Sequence, residues 1–190
     1  MKEKMNNTLY VDIETLANDP EDEKGALNPV TGSVALIGVA RNNSNIAVLS
    51  AEEGEKEMLE KFWSMVWRCL DENNLIIVGH NIAAFDGPFL MKRAWKYGIK
   101  VPRVFIDDLQ KFSTCRWVDT MRMWDFGGKG NRASLEALCK FFDISVKTSE
   151  VSGKEFGEWW EKDKRKCKEY CGEDVGATRE LYQHLVNCGL

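Results

Sequence analysis

The chain has no apolar stretch approaching the roughly 18 uninterrupted residues that a membrane-spanning helix needs, and its polar start, MKEKMNN, lacks the apolar centre of a secretory signal. These absences point to a cytoplasmic protein with no membrane partner. Internal repeats and low-complexity segments are also missing. So is any CxxC pair: Cys69, Cys115, Cys139, Cys167, Cys171 and Cys188 fall singly, mostly in segments of helical periodicity. In a reducing compartment such thiols act as small apolar residues. Cys167 and Cys171 stand at helical spacing with His184 nearby in sequence, but the ligand spacing of a zinc site is absent. An excess of positive charge is lacking too. A net charge of −4 excludes a protein that coats long nucleic acid by bulk electrostatics, though not one that grips a short end through metal ions. The DFGG at 125–128 resembles a kinase metal motif, but the Gly-rich loop, strand lysine and catalytic loop that would accompany it are missing. The following GGKGNR reads as a loop, whose Lys129 and Arg132 are alternatively phosphate contacts.

What the chain does have is the composition of a globular domain, 44% apolar and 29% charged. A length of 190 residues fits one domain spanning 1–190 with a full core. Alternation predicts strands at 8–14, 33–41 and 46–50, the last two joined by the turn-forming NNSN. Ser50 and Glu53 have the spacing of a capping box before a helix bearing Met58, Leu59, Phe62, Val66, Cys69 and Leu70 at helical intervals. LIIVGHN reads as a buried strand. A helix is expected after Asp86, with Pro88 in its first turn and Gly98 as its stop. Another helix is SLEALCKFF, and two or more occupy the last forty residues, whereas 20–32 is a loop. Strands, helix, strand, then helices predict the α/β class, a mixed central sheet flanked by helices. Trp63, Trp67, Trp159 and Trp160 fall in helical segments, where core packing is the default.

Within this pattern LYVDIETL, residues 9–16, is odd. Period two puts Leu9, Val11 and Ile13 on one face and Tyr10, Asp12 and Glu14 on the other, so two acids stand side by side in a core-like strand. Like charges at that distance repel and resist desolvation, and persist only with cations, protons or water beside them. An edge strand with one wet face satisfies this, and so does a metal site. Asp86 follows a buried-type strand in GHNIAAFDGPFL, where an aspartate commonly caps the next helix. Tyr170 and Asp174, four apart in YCGEDVGATRELY, share one helix face.

Taken in order, D-x-E, N-x-x-x-F-D and Y-x-x-x-D resemble the three motifs of the DEDD superfamily of 3′-5′ exonucleases, in its tyrosine-type (DEDDy) subgroup. The likeness is to the proofreading exonuclease domains of family B DNA polymerases and their stand-alone relatives. HNIAAFDGPFLMKRAWKYGIKVP resembles the second motif with its following helix, and SLEALCKFFDI the helix between motifs two and three. The resemblance implies a ribonuclease-H-like (DnaQ-like exonuclease) fold and hydrolysis at the 3′ end of a single strand, DNA favoured over RNA, releasing nucleoside monophosphates. It implies two divalent ions, Mg²⁺ or Mn²⁺, about 3.5–4 Å apart.

Carried over by position, Asp12 bridges both ions, Glu14 and Asp174 complete the site of the attacking water, Asp86 helps hold the second ion through water, and Tyr170 orients the water. Thr15 and Leu16 face the terminal nucleotide. Asn81 and Phe85 contact the penultimate sugar or stack on a base, or are a turn amide and a core aromatic. Lys92 and Arg93 reach a phosphate or solvate their helix, and His80 is structural. The same chemistry on RNA and a non-catalytic nucleic-acid-binding module are the competing readings, and a separate DNA polymerase is a natural partner.

Overall fold

Alternation in the first strand sets the architecture. In the computed structural model, which describes residues 7–72, 74–110, 115–128, 130–145 and 150–190, β1 (Asn7–Ala17) buries Leu9, Val11 and Ile13 in the main apolar core. Tyr10 turns the other way, into a separate cluster with Val175. β1 pairs antiparallel with β2 (Gly32–Arg41), which pairs antiparallel with β3 (Ala47–Ser50). On its opposite side β1 runs parallel to β4 (Leu75–Gly79), and β4 to β5 (Trp117–Asp119). The resulting order is β3-β2-β1-β4-β5, a mixed sheet of the expected kind.

Helices cover both faces. On one, Met58, Leu59, Phe62, Trp63 and Val66 of α1 (Glu55–Glu72) pack with Phe89, Leu90 and Ala94 of α2 (Asp86–Lys96) against Leu9, Val11 and Ile13. Each such fully buried Leu, Ile, Val, Phe or Met side chain contributes roughly 1.5–3 kcal/mol. α2 stops where expected, Gly98 taking the left-handed conformation at φ +69°. After α3 (Arg103–Gln110), α4 (Thr120–Trp124), α5 (Leu135–Phe141) and α6 (Phe156–Lys162), the long α7 (Lys164–Asn187) crosses the other face and buries Tyr170, Cys171 and Val175.

Two backbone details place α7 and the acids of β1. The β1–β2 register shifts after Glu14: Glu14 faces Leu36 and Thr15 faces Val34, leaving Ala35 as the extra residue of a bulge. Ile37 and Val34 therefore both reach the main core. Gly38 stands opposite Asp12. A Cβ there would lie 2.6 Å from Val175 Cγ2, 2.9 Å from Cys171 Sγ and 3.0 Å from the Cys171 carbonyl oxygen. Only glycine lets α7 come this close to the sheet at the level of Asp12.

Several expectations need correction. Ser50 makes no side-chain cap; residues 51–53 form a 3₁₀ turn and the helix begins at Glu55, after Gly54 at φ +129°. The Ser50 hydroxyl donates instead to Glu52. Asp86 is not a cap either, since it is the first residue of α2 itself. α3, β5 and α4 were not anticipated. Trp63 and Trp160 are buried, but Trp67 is 40% exposed, its indole N–H donating to the Lys100 carbonyl. Trp159 is half-buried, with the Lys162 and Lys166 ammonium groups 4.4 and 4.8 Å from its ring centre. His184 contacts Phe142 and Cys188, apart from any zinc grouping with Cys167 and Cys171. Lys129 lies outside the described residues.

Candidate active site

Three segments supply the acids. Asp12 and Glu14 project from β1 toward α7, and α7 returns Asp174 one helical turn after Tyr170. One carboxylate oxygen from each of Asp12, Glu14 and Asp174 can be chosen so that all three lie within 4.8 Å of one another. Glu14 and Asp174 are buried and Asp12 is half-buried. Among the described residues this is the grouping of metal-ligating side chains that the fold assembles. Three oxygen donors of like charge suit a hard divalent cation, and without one they repel.

Asp86 joins from the side. β4 pairs with β1 only as far as Tyr10, and beyond that point the Ile13 N–H donates to Asp86 Oδ1 at 3.1 Å. Burial pushes the Asp86 carboxyl up to about 7; the bond from Ile13 works against this, while the charges of Asp119 and Asp174 add to it. Burial also drives the Tyr170 phenol above its ordinary range, reinforced by the negative charges of Glu14, Asp174 and Asp12. Tyr170 therefore keeps its proton at any working pH. The Cys171 thiol, buried behind the same acids, is likewise held well above its usual range.

A cavity of about 610 Å³ opens onto this cluster, lined by Asp12, Tyr170, Asp174, His80, Ser134 and Gly153 among others. His80 is fixed through both ring nitrogens: Nε2–H donates to the Ala133 carbonyl (3.0 Å), leaving Nδ1 to accept from the Thr120 hydroxyl (2.9 Å) in the neutral ring. Burial lowers its pKa, against the Ala133 bond and the Asp119 charge.

The remaining expected residues divide. The Thr15 hydroxyl donates to the Ala26 carbonyl at 2.6 Å, and Leu16 packs beside the cluster containing Tyr170 and Phe156. Phe85 is half-buried against Phe89. Asn81, left-handed at φ +61°, lines a neighbouring cavity. Lys92 is exposed on α2, away from the lining of the acid-bearing cavity. Arg93 does not reach a phosphate: it is 2% exposed, and its Nε and Nη2 donate to Glu55 at 2.8 and 2.5 Å while Nη1 donates to the Pro29 carbonyl. Burial opposes the ionisation of Glu55, yet bonds from Arg93, the Val34 amide and Tyr97 outweigh it and hold its pKa below the usual value.

Asp119 belongs to none of the three motifs. Its carboxylate accepts from the amides of Asn81, Ala83, Met121 and Arg122, tying the turn before Asp86 to the end of β5. An aspartate closing WVD just ahead of a helical TMRMW was the available signal.

Residues 27–188 match a family described as "Predicted 3'-5' exonuclease related to the exonuclease domain of PolB". The chain belongs to this family of PolB-related exonucleases. An uncharacterized protein of Methanocaldococcus jannaschii is 30% identical over 178 residues, 88% of this chain and 94% of that protein. A DNA polymerase of Archaeoglobus fulgidus is 26% identical over 85% of this chain. Among solved structures, the family B DNA polymerase of Pyrobaculum calidifontis superposes with a TM-score of 0.72 over 95% of this chain at 21% identity, which establishes the ribonuclease-H-like fold. The chain spans 21% of the Archaeoglobus polymerase and 24% of the Pyrobaculum one. In this member of the PolB-related family, the matched residues include Asp86, Tyr170 and Asp174 and begin after Asp12 and Glu14. The first acid pair thus rests on its convergence with Asp174.

Proposed function

We propose that the protein is a metal-dependent exonuclease of the tyrosine type, removing nucleoside monophosphates from the 3′ end of single-stranded DNA. The observation that carries this is the convergence of Asp12, Glu14 and Asp174 within 4.8 Å, on a chain whose family is that of PolB-related exonucleases. The donor set fits Mg²⁺ or Mn²⁺, held by Asp12, Glu14 and Asp174 with Asp86 beside them. When bound, such ions polarise the phosphodiester and supply a nucleophilic water at neutral pH.

The chain's own groups do the rest. Tyr170, fully protonated, donates a hydrogen bond that orients the attacking water beside Glu14. Asp86 takes the Ile13 amide and fixes the start of α2 against the first acid pair. The cavity of about 610 Å³ accepts the terminal nucleotide. Similarity to proteins named as DNA polymerases supports DNA over RNA as substrate.

The test is digestion of matched 5′-labelled DNA and RNA oligonucleotides with Mn²⁺, Mg²⁺ or EDTA, beside Asp12→Ala. A metal-dependent ladder shortening from the 3′ end of DNA, absent in the variant, is expected. Equal digestion by the variant, or no ladder from folded protein on either polymer, defeats the reading.

A further inference from the structure

Consecutive residues divide between two cavities: His80 lines the one bearing the acids, while Asn81 lines a second of about 580 Å³. The second is built on the DFGG turn, which the catalytic reading leaves unexplained. Phe126, Gly127 and Gly128 are successively left-handed, at φ +52°, +74° and +91°. For the glycines this is ordinary, but for phenylalanine it is unfavourable. The turn is nevertheless held firmly: Gly127 N–H donates to the Arg122 carbonyl, Gly128 N–H to the Asp125 carboxylate and Gly130 N–H to the Asp125 carbonyl. The result is a Phe126 ring 70% exposed at the cavity wall. The bond to the Arg122 carbonyl closes α4 as a Schellman cap with Phe126 in its left-handed position, where glycine is the usual residue, and it leaves the aromatic ring in solvent at a cost in stability.

The charge of the cavity fits one class of ligand. Arg122 and Arg132 line it. Two acids line it as well, but Asp119 and Asp125 are 3% and 2% exposed and accept backbone amides, and the Arg122 Nε lies 4.0 Å from Asp119. Toward solvent the cavity presents the Arg122 and Arg132 guanidinium groups, the Phe126 ring and the exposed Leu190, on a chain whose net charge is −4. A stacking ring beside cations is how proteins hold single strands without regard to sequence.

We propose that this second cavity holds the single strand on the 5′ side of the bond to be cut, with Phe126 stacked on a base and Arg122 and Arg132 paired with phosphates. The assignment rests on the exonuclease reading and extends it to how the strand is led past Asn81 to the acids.

The experiment measures binding of two labelled oligothymidylates by fluorescence anisotropy in EDTA, one a dinucleotide and one long enough to reach the second cavity. Hydrolysis of both in Mn²⁺ is followed in parallel. Phe126→Ala and Arg132→Ala should each weaken binding of the long strand about tenfold and raise its KM, with kcat and the dinucleotide unaffected. Phe126→Gly should weaken binding equally while raising Tm, a combination that a purely structural role does not produce. Unchanged long-strand binding in all three variants overturns the assignment even if the wild type digests DNA normally. Loss of binding in the variants of a wild type that binds but does not cut supports the cavity while refuting the exonuclease reading. A wild type that neither binds nor cuts refutes both.

Discussion

The Ile13 N–H donates to Asp86 Oδ1 across 3.1 Å, just past Tyr10, the last β1 residue paired with β4. The strand holding Asp12 and Glu14 is thereby joined to the first turn of α2 at the point where the sheet ladder has opened. The same burial that makes this bond rigid raises the Asp86 carboxyl from 3.8 to about 7.

That shift gives the metal-free protein a defined pH dependence. Between the ordinary carboxyl pKa and about 7, the native state keeps a proton that the unfolded chain has lost, so stability should fall as pH rises through this window. Divalent ions compete with the proton for the acidic cluster. The rise in Tm on adding Mn²⁺ should therefore be larger at pH 8 than at pH 5, as scanning calorimetry would show. A Tm gain independent of pH would mean that the ion binds elsewhere.

Tyr170→Phe keeps the ring in its packing and removes the O–H. We expect kcat to fall on the order of 10- to 100-fold, at or below the low end of the range for groups that transfer a proton, with Tm nearly unchanged. Because burial and the surrounding acids raise the phenol pKa, the pH–rate profiles of wild type and variant should have the same shape. An alkaline limb that disappears in the variant would make Tyr170 a base.

Gly38→Ala tests the closeness of α7. Its Cβ meets the Cys171 backbone at 3.0 Å, so the helix must shift, at a cost of about 1–3 kcal/mol. Asp174 moves with it, away from Asp12. Urea unfolding should report the stability loss and Mn²⁺ titration a weakened affinity; a destabilised variant with wild-type affinity would show that the acid spacing does not depend on this contact.

The Glu55–Arg93 pair, with both side chains at most 9% exposed, is expected to act on stability alone. Arg93→Met strands a buried carboxylate and should destabilise the fold by about 3–5 kcal/mol, whereas Glu55→Met combined with Arg93→Met should recover much of the loss. The KM for an oligonucleotide should not change in the variants that remain folded. A tenfold rise in KM at unchanged stability would return Arg93 to the substrate.

The elements legible in the sequence were those with enough residues to display a period. β1 announced its two faces by alternation, and α1 and α2 by their apolar spacing. β5 has three residues, WVD, too few for any pattern, and it is positioned by Asp108, which accepts the amides of Cys115, Arg116 and Trp117. Such carboxylate-to-amide links join segments that composition cannot associate. Arg93 misled for the same reason: beside Lys92 it looked like a surface cation, because its partner Glu55 is 38 positions away. The acids were identifiable because their cost of burial makes them conspicuous, but the room they need, supplied by Gly38, is a contact between β2 and α7 that local spacing does not encode.

The departure of β4 after Tyr10 has one more implication. From Val11 onward one side of β1 has no strand partner on β4, and backbone groups released from a sheet in this way need other cover, since bare ones attract another chain. Here that side is shielded by Asp86, which takes the Ile13 amide, and by a concentration of negative charge that repels an incoming backbone carbonyl. Asp86 thus serves the margin of β1 as well as the acidic cluster. A variant that removes the Asp86 carboxylate uncovers the Ile13 amide, so its oligomeric state belongs beside its activity in any comparison with the wild type.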